Sequence, residues 1–233
     1  MSEHAAAVSS AARRDPRKLN FDRLAGVYRW MEWFSFGPFL WRTRCTFLAE
    51  MSGARRALVL GDGDGRFTAE LLRRNAEVRV EAVDVSEAML RSLCRRAGTE
   101  ASRVRTEARD VREWSAADGA VYDLVATHFL LDCLTTDEVG RLAERISGAV
   151  TPGTIWVVSE FAIPEGMFGR LVARPMVTCL YWAFGLLTAL PVRRLPEWHG
   201  ALEHAGFARV MEKRRLRGLL VSEIWRVGAG KKR

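Results

Sequence analysis

The stretch Ala57-Leu58-Val59-Leu60-Gly61-Asp62-Gly63-Asp64-Gly65-Arg66-Phe67 decides the fold. Its first four residues are apolar without alternation, the mark of a short strand covered on both faces. Three glycines follow at every second position. Glycine is needed where the backbone turns sharply or a ligand approaches it closely. Phe67 to Arg74 has helical periodicity, so the loop opens a helix whose free N–H groups face an anion such as a carboxylate. A dinucleotide loop needs G-x-G-x-x-G. Here the third glycine comes early, and Arg66 stands where the dinucleotide glycine would fall. The G-x-G-x-G spacing suits a nucleoside with an amino-acid tail better than a pyrophosphate. A tight turn without ligand is the plainer reading.

Outward from this loop, strands and helices alternate. Val78 to Asp84 reads as a second strand and Ser86 to Arg96 as a second helix with Ser86 as N-cap. Val104 to Asp110 is a weak third strand and Tyr122 to Thr127 a fourth. Thr136 to Val150 is an amphipathic helix that Pro152-Gly153 should end, and Thr154 to Phe161 is a fifth strand. Repeated strand–helix units require parallel strands with helical crossovers. Ala208 to Leu216 and Leu219 to Val227, around Arg217-Gly218, read as a hairpin that adds antiparallel strands at the sheet edge. The predicted fold is therefore α/β: a doubly wound, Rossmann-like seven-stranded sheet with a C-terminal antiparallel hairpin. Residues 1–16 read as a flexible tail. Residues 17–233 read as a single domain with aromatic-rich N-terminal helices over 17–50, split at Gly37-Pro38, and a helical cap over 162–197. His199 and His204 are expected on the surface of a short helix.

Composition narrows the function classes. Of 233 residues 48% are hydrophobic and 27% charged, which excludes disorder, collagen and coiled coil for the whole chain. The four cysteines, Cys45, Cys94, Cys133 and Cys179, form no CxxC pair. That argues against a disulfide framework and a thiolate zinc site and suits a reducing, cytoplasmic compartment. The first ten residues lack the basic start and apolar core of a signal peptide. The net charge is +8, yet only four of the 36 basic residues are lysines, and no basic stretch is interleaved with aromatics as in a nucleic-acid reader. No nucleic-acid partner is expected. Met176 to Leu190 carries no charge but is short for a bilayer span. With Arg170, Arg174, Arg193 and Arg194 around it, it suits a buried or interfacial helix and peripheral contact with the inner face of a membrane. Monomer and homodimer are both open.

Asp84 ends the second strand, where a carboxylate can accept both hydroxyls of a ribose. Met89, on the following helix, suits an adenine face or the plain core. At this point the chain resembles the class I S-adenosylmethionine-dependent methyltransferases. The resemblance is carried by Gly61, Gly63 and Gly65, by Asp84 within VDVSEAML, by Arg109-Asp110-Val111, and by the TPGTIWVVSEF segment over 151–161. It implies S-adenosyl-L-methionine as cofactor, Asp84 on the ribose and Asp110 on the adenine amino group. Val85, Met89, Arg109, Val111, Thr127 and His128 complete the implied contacts, and Tyr28 and Arg44 would close over the methionine end. The family often has an acid two residues before the first glycine, where Val59 stands; Asp62 or Asp64 would then hold the ammonium. The opening segment is also similar to the ubiquinone/menaquinone C-methyltransferase group through Phe21-Asp22, Ala25, Tyr28, Ser35-Phe36-Gly37 and Trp41-Arg42. That group's downstream signature is replaced by THFLLDCL.

Methyl transfer from a sulfonium is chiefly a positioning problem, and a base is needed only when the acceptor must lose a proton. His128 follows the fourth strand, at the carboxyl end that faces the ligand crevice, and is the candidate base. Asp132, four residues on, would orient it if the turn is helical. Glu160, Phe168, Tyr181 and Trp182 are candidate acceptor contacts, joined by Phe161, Met167, Met176 and Phe184 in the apolar cap. The expected function is methylation of a small hydrophobic or aromatic acceptor at oxygen, nitrogen or carbon. A nicotinamide-dependent oxidoreductase and a catalytically silent binding protein of the same fold are the alternatives.

Overall fold

Leu58 and Val59 are both fully buried, although successive side chains of a strand point to opposite faces. A strand of this kind must sit inside a sheet covered on both sides. The computed structural model describes residues 38–179 and 195–227 and shows such a sheet. Its strands are β1 (Arg56–Leu60), β2 (Arg79–Asp84), β3 (Val104–Ala108), β4 (Tyr122–His128), β5 (Val150–Phe161), β6 (Phe207–Arg215) and β7 (Leu220–Val227). The spatial order is β3-β2-β1-β4-β5-β7-β6. The first five strands are mutually parallel, whereas β7 runs antiparallel to both β5 and β6. The order reverses between β1 and β4, which opens the crevice at their carboxyl ends where such sheets bind ligands.

Helices α1 (Pro38–Arg44), α2 (Arg66–Arg74), α3 (Glu87–Ala97), α4 (Thr136–Ser147) and α5 (Trp198–His204) cover the two faces. On one face Phe67, Leu71, Leu90 and Leu93 pack on Val59, Ala82, Leu124 and Val157. On the other Val139, Leu142, Ile146, Trp198 and Leu202 pack on Leu58, Leu60, Val125, Trp156 and Val158. Each strand thus feeds alternate residues to two cores. The edge strand β6 is exposed along most of its length and carries Arg209, Glu212, Lys213, Arg214 and Arg215, a charge density that discourages pairing with a further strand.

The fold and element order follow the sequence-based expectation, with one correction: helix α4 ends at Ser147, and Pro152-Gly153 lies inside β5 instead of closing the helix. The ladder with β4 shifts register there, from Tyr122↔Val150 to Leu124↔Ile155. Thr154 Oγ1 bridges the bulge: it accepts from Thr151 N–H at 3.0 Å and donates to the Tyr122 carbonyl at 2.8 Å. Proline fits at such a bulge because its position needs no ladder donor. His199 lies on the short helix α5 with its side chain 39% exposed, as expected, and also has inward partners. Its ring stacks on Trp198 at 3.7 Å, and Nε2 lies 3.2 Å from Oε1 of the fully buried Glu223. Arg209 and the Trp225 indole N–H also bond that carboxylate, at 2.7 and 2.9 Å. His199 is therefore part of the anchor that holds the terminal hairpin to α5.

Beyond β5, residues 166–179 are helical, with a π-turn at Gly169–Ala173. Among the described residues no helix is long and apolar enough to cross a membrane. The expected tail and most of the N-terminal helices, with Tyr28, and the cap residues Tyr181, Trp182 and Phe184 lie outside the described residues.

Gly65 tests the loop that the sheet depends on. Its φ is +78°, and a Cβ there would lie 2.6 Å from the Leu93 Cα, a backbone atom of α3. Gly65→Ala is expected to destabilise the fold by about 2–4 kcal/mol in chemical unfolding, from overpacking plus left-handed strain.

Candidate active site

Asp84 is fixed by the backbone it faces. Oδ2 accepts from the Gly63 N–H at 3.2 Å and Oδ1 from the Ser86 N–H at 2.9 Å. Each oxygen keeps a lone pair for a further donor. Burial pushes the Asp84 carboxyl up, while the Ser86 and Gly63 N–H groups pull it back. Ser86 caps α3 as expected, accepting from the Met89 N–H at 3.3 Å, which places Val85 and Met89 just beyond the carboxylate. A Cβ on Gly63, whose φ is +62°, would meet nothing within 4 Å. The loop is therefore open over Gly63 and closed at Gly61 and Gly65.

The two acids of the loop differ sharply. Asp64 sits at the surface side and pairs with Arg66 and Arg96. Asp62 is buried; Oδ2 accepts from the Thr68 N–H at 2.8 Å and Oδ1 has no hydrogen-bond partner. Burial raises its carboxyl to about 6, against the pull of Arg44 and of the bonds from Thr68. An orphaned carboxylate oxygen in a dry site is costly unless a ligand cation meets it. Such a donor set, open glycine backbone, ribose-type acid and lone buried carboxylate, fits an adenosyl group with an amino-acid tail.

The third strand contributes less than expected. The Arg109 side chain is exposed and pairs with Glu107 at 2.7 Å, and only its backbone N–H, on the Asp84 carbonyl at 3.1 Å, braces the site. Asp110 is bound by Arg112, whose backbone N–H donates to Oδ1 at 2.9 Å and whose guanidinium reaches both oxygens. Val111 is buried in the core.

The end of β4 separates two faces. His128 is buried on the same face as Phe67, with ring centroids 4.3 Å apart in an edge contact. Neither ring nitrogen has a hydrogen-bond partner. Burial, reinforced by the nearby Arg44 charge, holds the imidazole well below its ordinary pKa, so it is neutral at pH 7. Arg44, from α1, lies with its guanidinium 5.5 Å over the Phe129 ring. Thr127 points to the opposite face, where its Oγ1 accepts from the Trp156 indole at 3.1 Å, so its side chain is occupied within the core.

Two expectations for the acidic residues change. Asp132 does not orient His128: Leu131–Cys133 forms a 3-10 turn, and Asp132 Oδ2 accepts from the Phe161 N–H at 3.1 Å. Glu160 does not face an acceptor: it is fully buried, and Oε1 accepts from the Leu130 and Leu131 N–H groups at 3.1 and 2.8 Å. A charged residue inside the apolar run WVVSEF was the signal for an internal role, since buried carboxylates need internal donors. Phe168 borders an apolar cluster of Leu40, Phe129, Ala173, Val177, Leu219 and Leu220, and Arg217 lies 5.5 Å over its ring. Phe161 and Met176 border the same cluster, and Phe161 packs on Phe129 at 5.1 Å. Met167 is 76% exposed and turns away from it.

Residues 57–153 match the family model described as a methyltransferase domain. No curated protein sequence matches the chain. The N-methyltransferase NodS from Bradyrhizobium japonicum WM9, in complex with S-adenosyl-L-homocysteine, is similar over 91% of this chain and 99% of its own, at 16% identity and a TM-score of 0.66. An O-methyltransferase family protein from Burkholderia thailandensis is similar over 91% of this chain and 64% of its own, at 18% identity and a TM-score of 0.64. Human N-acetylserotonin methyltransferase, in complex with SAM, is similar over 91% and 56%, at 19% identity and a TM-score of 0.59. This chain thus spans almost all of the first and about three fifths of the other two. At these identities the likeness carries the fold, while the domain match carries the reaction. The crevice between β1 and β4 lies within the stretch that matches a methyltransferase domain, on a fold shared with these methyltransferases.

Proposed function

We propose that this enzyme methylates a small hydrophobic or aromatic acceptor at a hydroxyl or amine. The observation that carries this reading is the apolar cluster around Phe129, Phe161 and Phe168, at the carboxyl ends of β4 and β5 beside the neutral His128. Bound S-adenosylmethionine supplies a methyl group already activated on a sulfonium. In the proposal the backbone of Gly61 to Gly65 lies under the adenosyl group, and Asp84 accepts from the ribose hydroxyls. Asp62 meets the ammonium, in place of the acid that Val59 replaces, and Arg44, whose charge acts on both Asp62 and His128, meets the carboxylate. Phe129, Phe161 and Phe168 exclude water from the acceptor and hold it by apolar contact. His128 takes the proton that a hydroxyl or amine releases: the neutral imidazole has one ring nitrogen free to accept it, and no protein group occupies either nitrogen. O- and N-methyltransferases among the similar structures support this chemistry.

The outer side of the helical segment 166–179 exposes Met167, Leu171 and Val172 beside Arg170 and Arg174. This pairing of apolar and cationic groups supports contact with an anionic lipid surface, from which a hydrophobic acceptor would be drawn.

Release of S-adenosylhomocysteine from a panel of lipophilic phenols, alcohols and amines tests the reaction. With an accepted substrate, His128→Ala is expected to lower kcat about 100-fold while cofactor affinity changes little; an unchanged kcat removes the base. Asp84→Ala is expected to weaken S-adenosylhomocysteine by about 1.5–3 kcal/mol in calorimetry, because bonds to a charged group are lost. Asp62 adds a pH signature. Its raised value means that its stabilising effect on the ligand-free fold is present below about pH 4 and lost as pH rises through about 6. Ammonium binding needs the ionised form, of which about a tenth is present one pH unit below the pKa. Affinity is therefore expected to fall about tenfold from pH 7 to pH 5, and Asp62→Asn to flatten that change.

A further inference from the structure

The loop after β4 and the end of β5 hold each other reciprocally. Glu160, on β5, accepts from the backbone of Leu130 and Leu131. Asp132, on the loop, accepts from the backbone of Phe161. Phe129 N–H donates to the Ser159 carbonyl at 2.7 Å, and Phe129 has a φ of +57°, a conformation that a bulky side chain adopts only when its surroundings impose it. The two carboxyl groups are buried, at 0% and 5% exposure, and the Asp132 charge acts on Glu160. Two carboxylates that act on each other in a dry site are costly to ionise together, which favours a proton on one of them.

We propose that Glu160 and Asp132 are positioning residues, a proton-sharing latch that sets the wall between cofactor and acceptor. The latch has a defined reach on each side. Leu130, which it fixes by the backbone, packs under the glycine loop: its Cδ1 lies 2.8 Å from where a Gly61 Cβ would stand. Phe129, held one residue earlier, presents its ring to Arg44 and Phe161. One pair of acids therefore sets the floor beneath the adenosyl site and one aromatic wall of the acceptor site. The inference rests on the cofactor and acceptor placement proposed above.

Burial and the neighbouring Asp132 hold the Glu160 carboxyl well above its usual range, against the pull of the two N–H groups. The other titratable groups here are Cys133, whose thiol burial and these two acids push up to about 12, and Arg112, which donates to the Cys133 carbonyl at 3.1 Å. From β7 the residue paired with Glu160 is Val221, which has no charge. A carboxyl whose folded pKa is raised stabilises the fold below its unfolded pKa and loses that effect as pH rises toward the folded one. The latch should loosen on the alkaline side.

The test uses the full chain with Glu160→Gln and Glu160→Ala. The amide side chain introduced by E160Q keeps an acceptor oxygen for the Leu130 and Leu131 N–H groups, and its nitrogen donates to Asp132 without a shared proton. In calorimetry at pH 7, E160Q is expected to bind S-adenosylhomocysteine within about twofold of wild type, and E160A at least about tenfold more weakly. In thermal unfolding from about pH 6 to 9.5, without ligand, wild type is expected to lose stability at the alkaline end and E160Q to lose clearly less. Equal weakening by both variants, wild-type affinity in E160A, or the same alkaline loss in E160Q would each overturn the latch. If E160A does not fold, the unfolding profiles of wild type and E160Q decide. If wild type binds no S-adenosylhomocysteine, the cofactor reading fails, while the same profiles still judge the latch.

Discussion

At two points in the loop after β1 there is no space for a side chain. Gly61 is closed by Leu130 from the loop after β4, and Gly65 by Leu93 from α3. The turn is thus clamped between two elements that arrive later in the chain, at the place where the strand order reverses. The clamp has a chemical consequence. Backbone is brought to the crevice with both flanks packed, and among the described residues the space over Gly63 is open. The bond from the Gly63 N–H to Asp84 then ties the same turn to the end of β2. Close packing on the outside of the loop and open space on its inside are two aspects of one constraint.

The sheet sorts the polar groups of the crevice by parity. His128 and Thr127 are neighbours in sequence, yet one lies with Phe67 and the other beneath Trp156. Arg44, Asp62 and His128 gather on the first face, where the Arg44 charge acts on both of the others. Glu160 shares the second face with Trp156 and Val158, and Asp132 joins it from the loop. A base and its supposed orienting acid therefore lie on opposite faces of the sheet. His128 is left neutral and unpaired, and the two acids are left to each other.

The C-terminal hairpin supplies another buried carboxylate with a different solution. Among the described residues Glu223 has three partners, His199, Arg209 and Trp225. Its neighbour Ser222 faces Ser159 across the β5–β7 ladder, with hydroxyl oxygens 3.0 Å apart, and Ser159 also reaches the Thr43 carbonyl of α1. Polar ladders of this kind fix the register of strands whose other residues are uniformly apolar. They also join the last strand and the helix that leads into the crevice to the central sheet.

Much of this was legible in the chain itself. Uniform apolar runs, a glycine loop and helices of 3.6 periodicity determined a parallel sheet, its element order and the place of the crevice, because these depend on local propensity and on which residues avoid water. The acid at position 84 and the cap at Ser86 were legible for the same reason: both act on backbone a few residues away. The bulge at Pro152-Gly153 was not, since a proline that ends a helix and one that sits at a strand bulge look alike until the partner strand is known. Nor could spacing show that Asp132 would bond across 29 residues to Phe161, or that Glu160 would turn inward. Those outcomes belong to the tertiary structure, because the partner of a buried charge is chosen by whichever donors the packed strands bring within reach, and sequence distance carries no information about that.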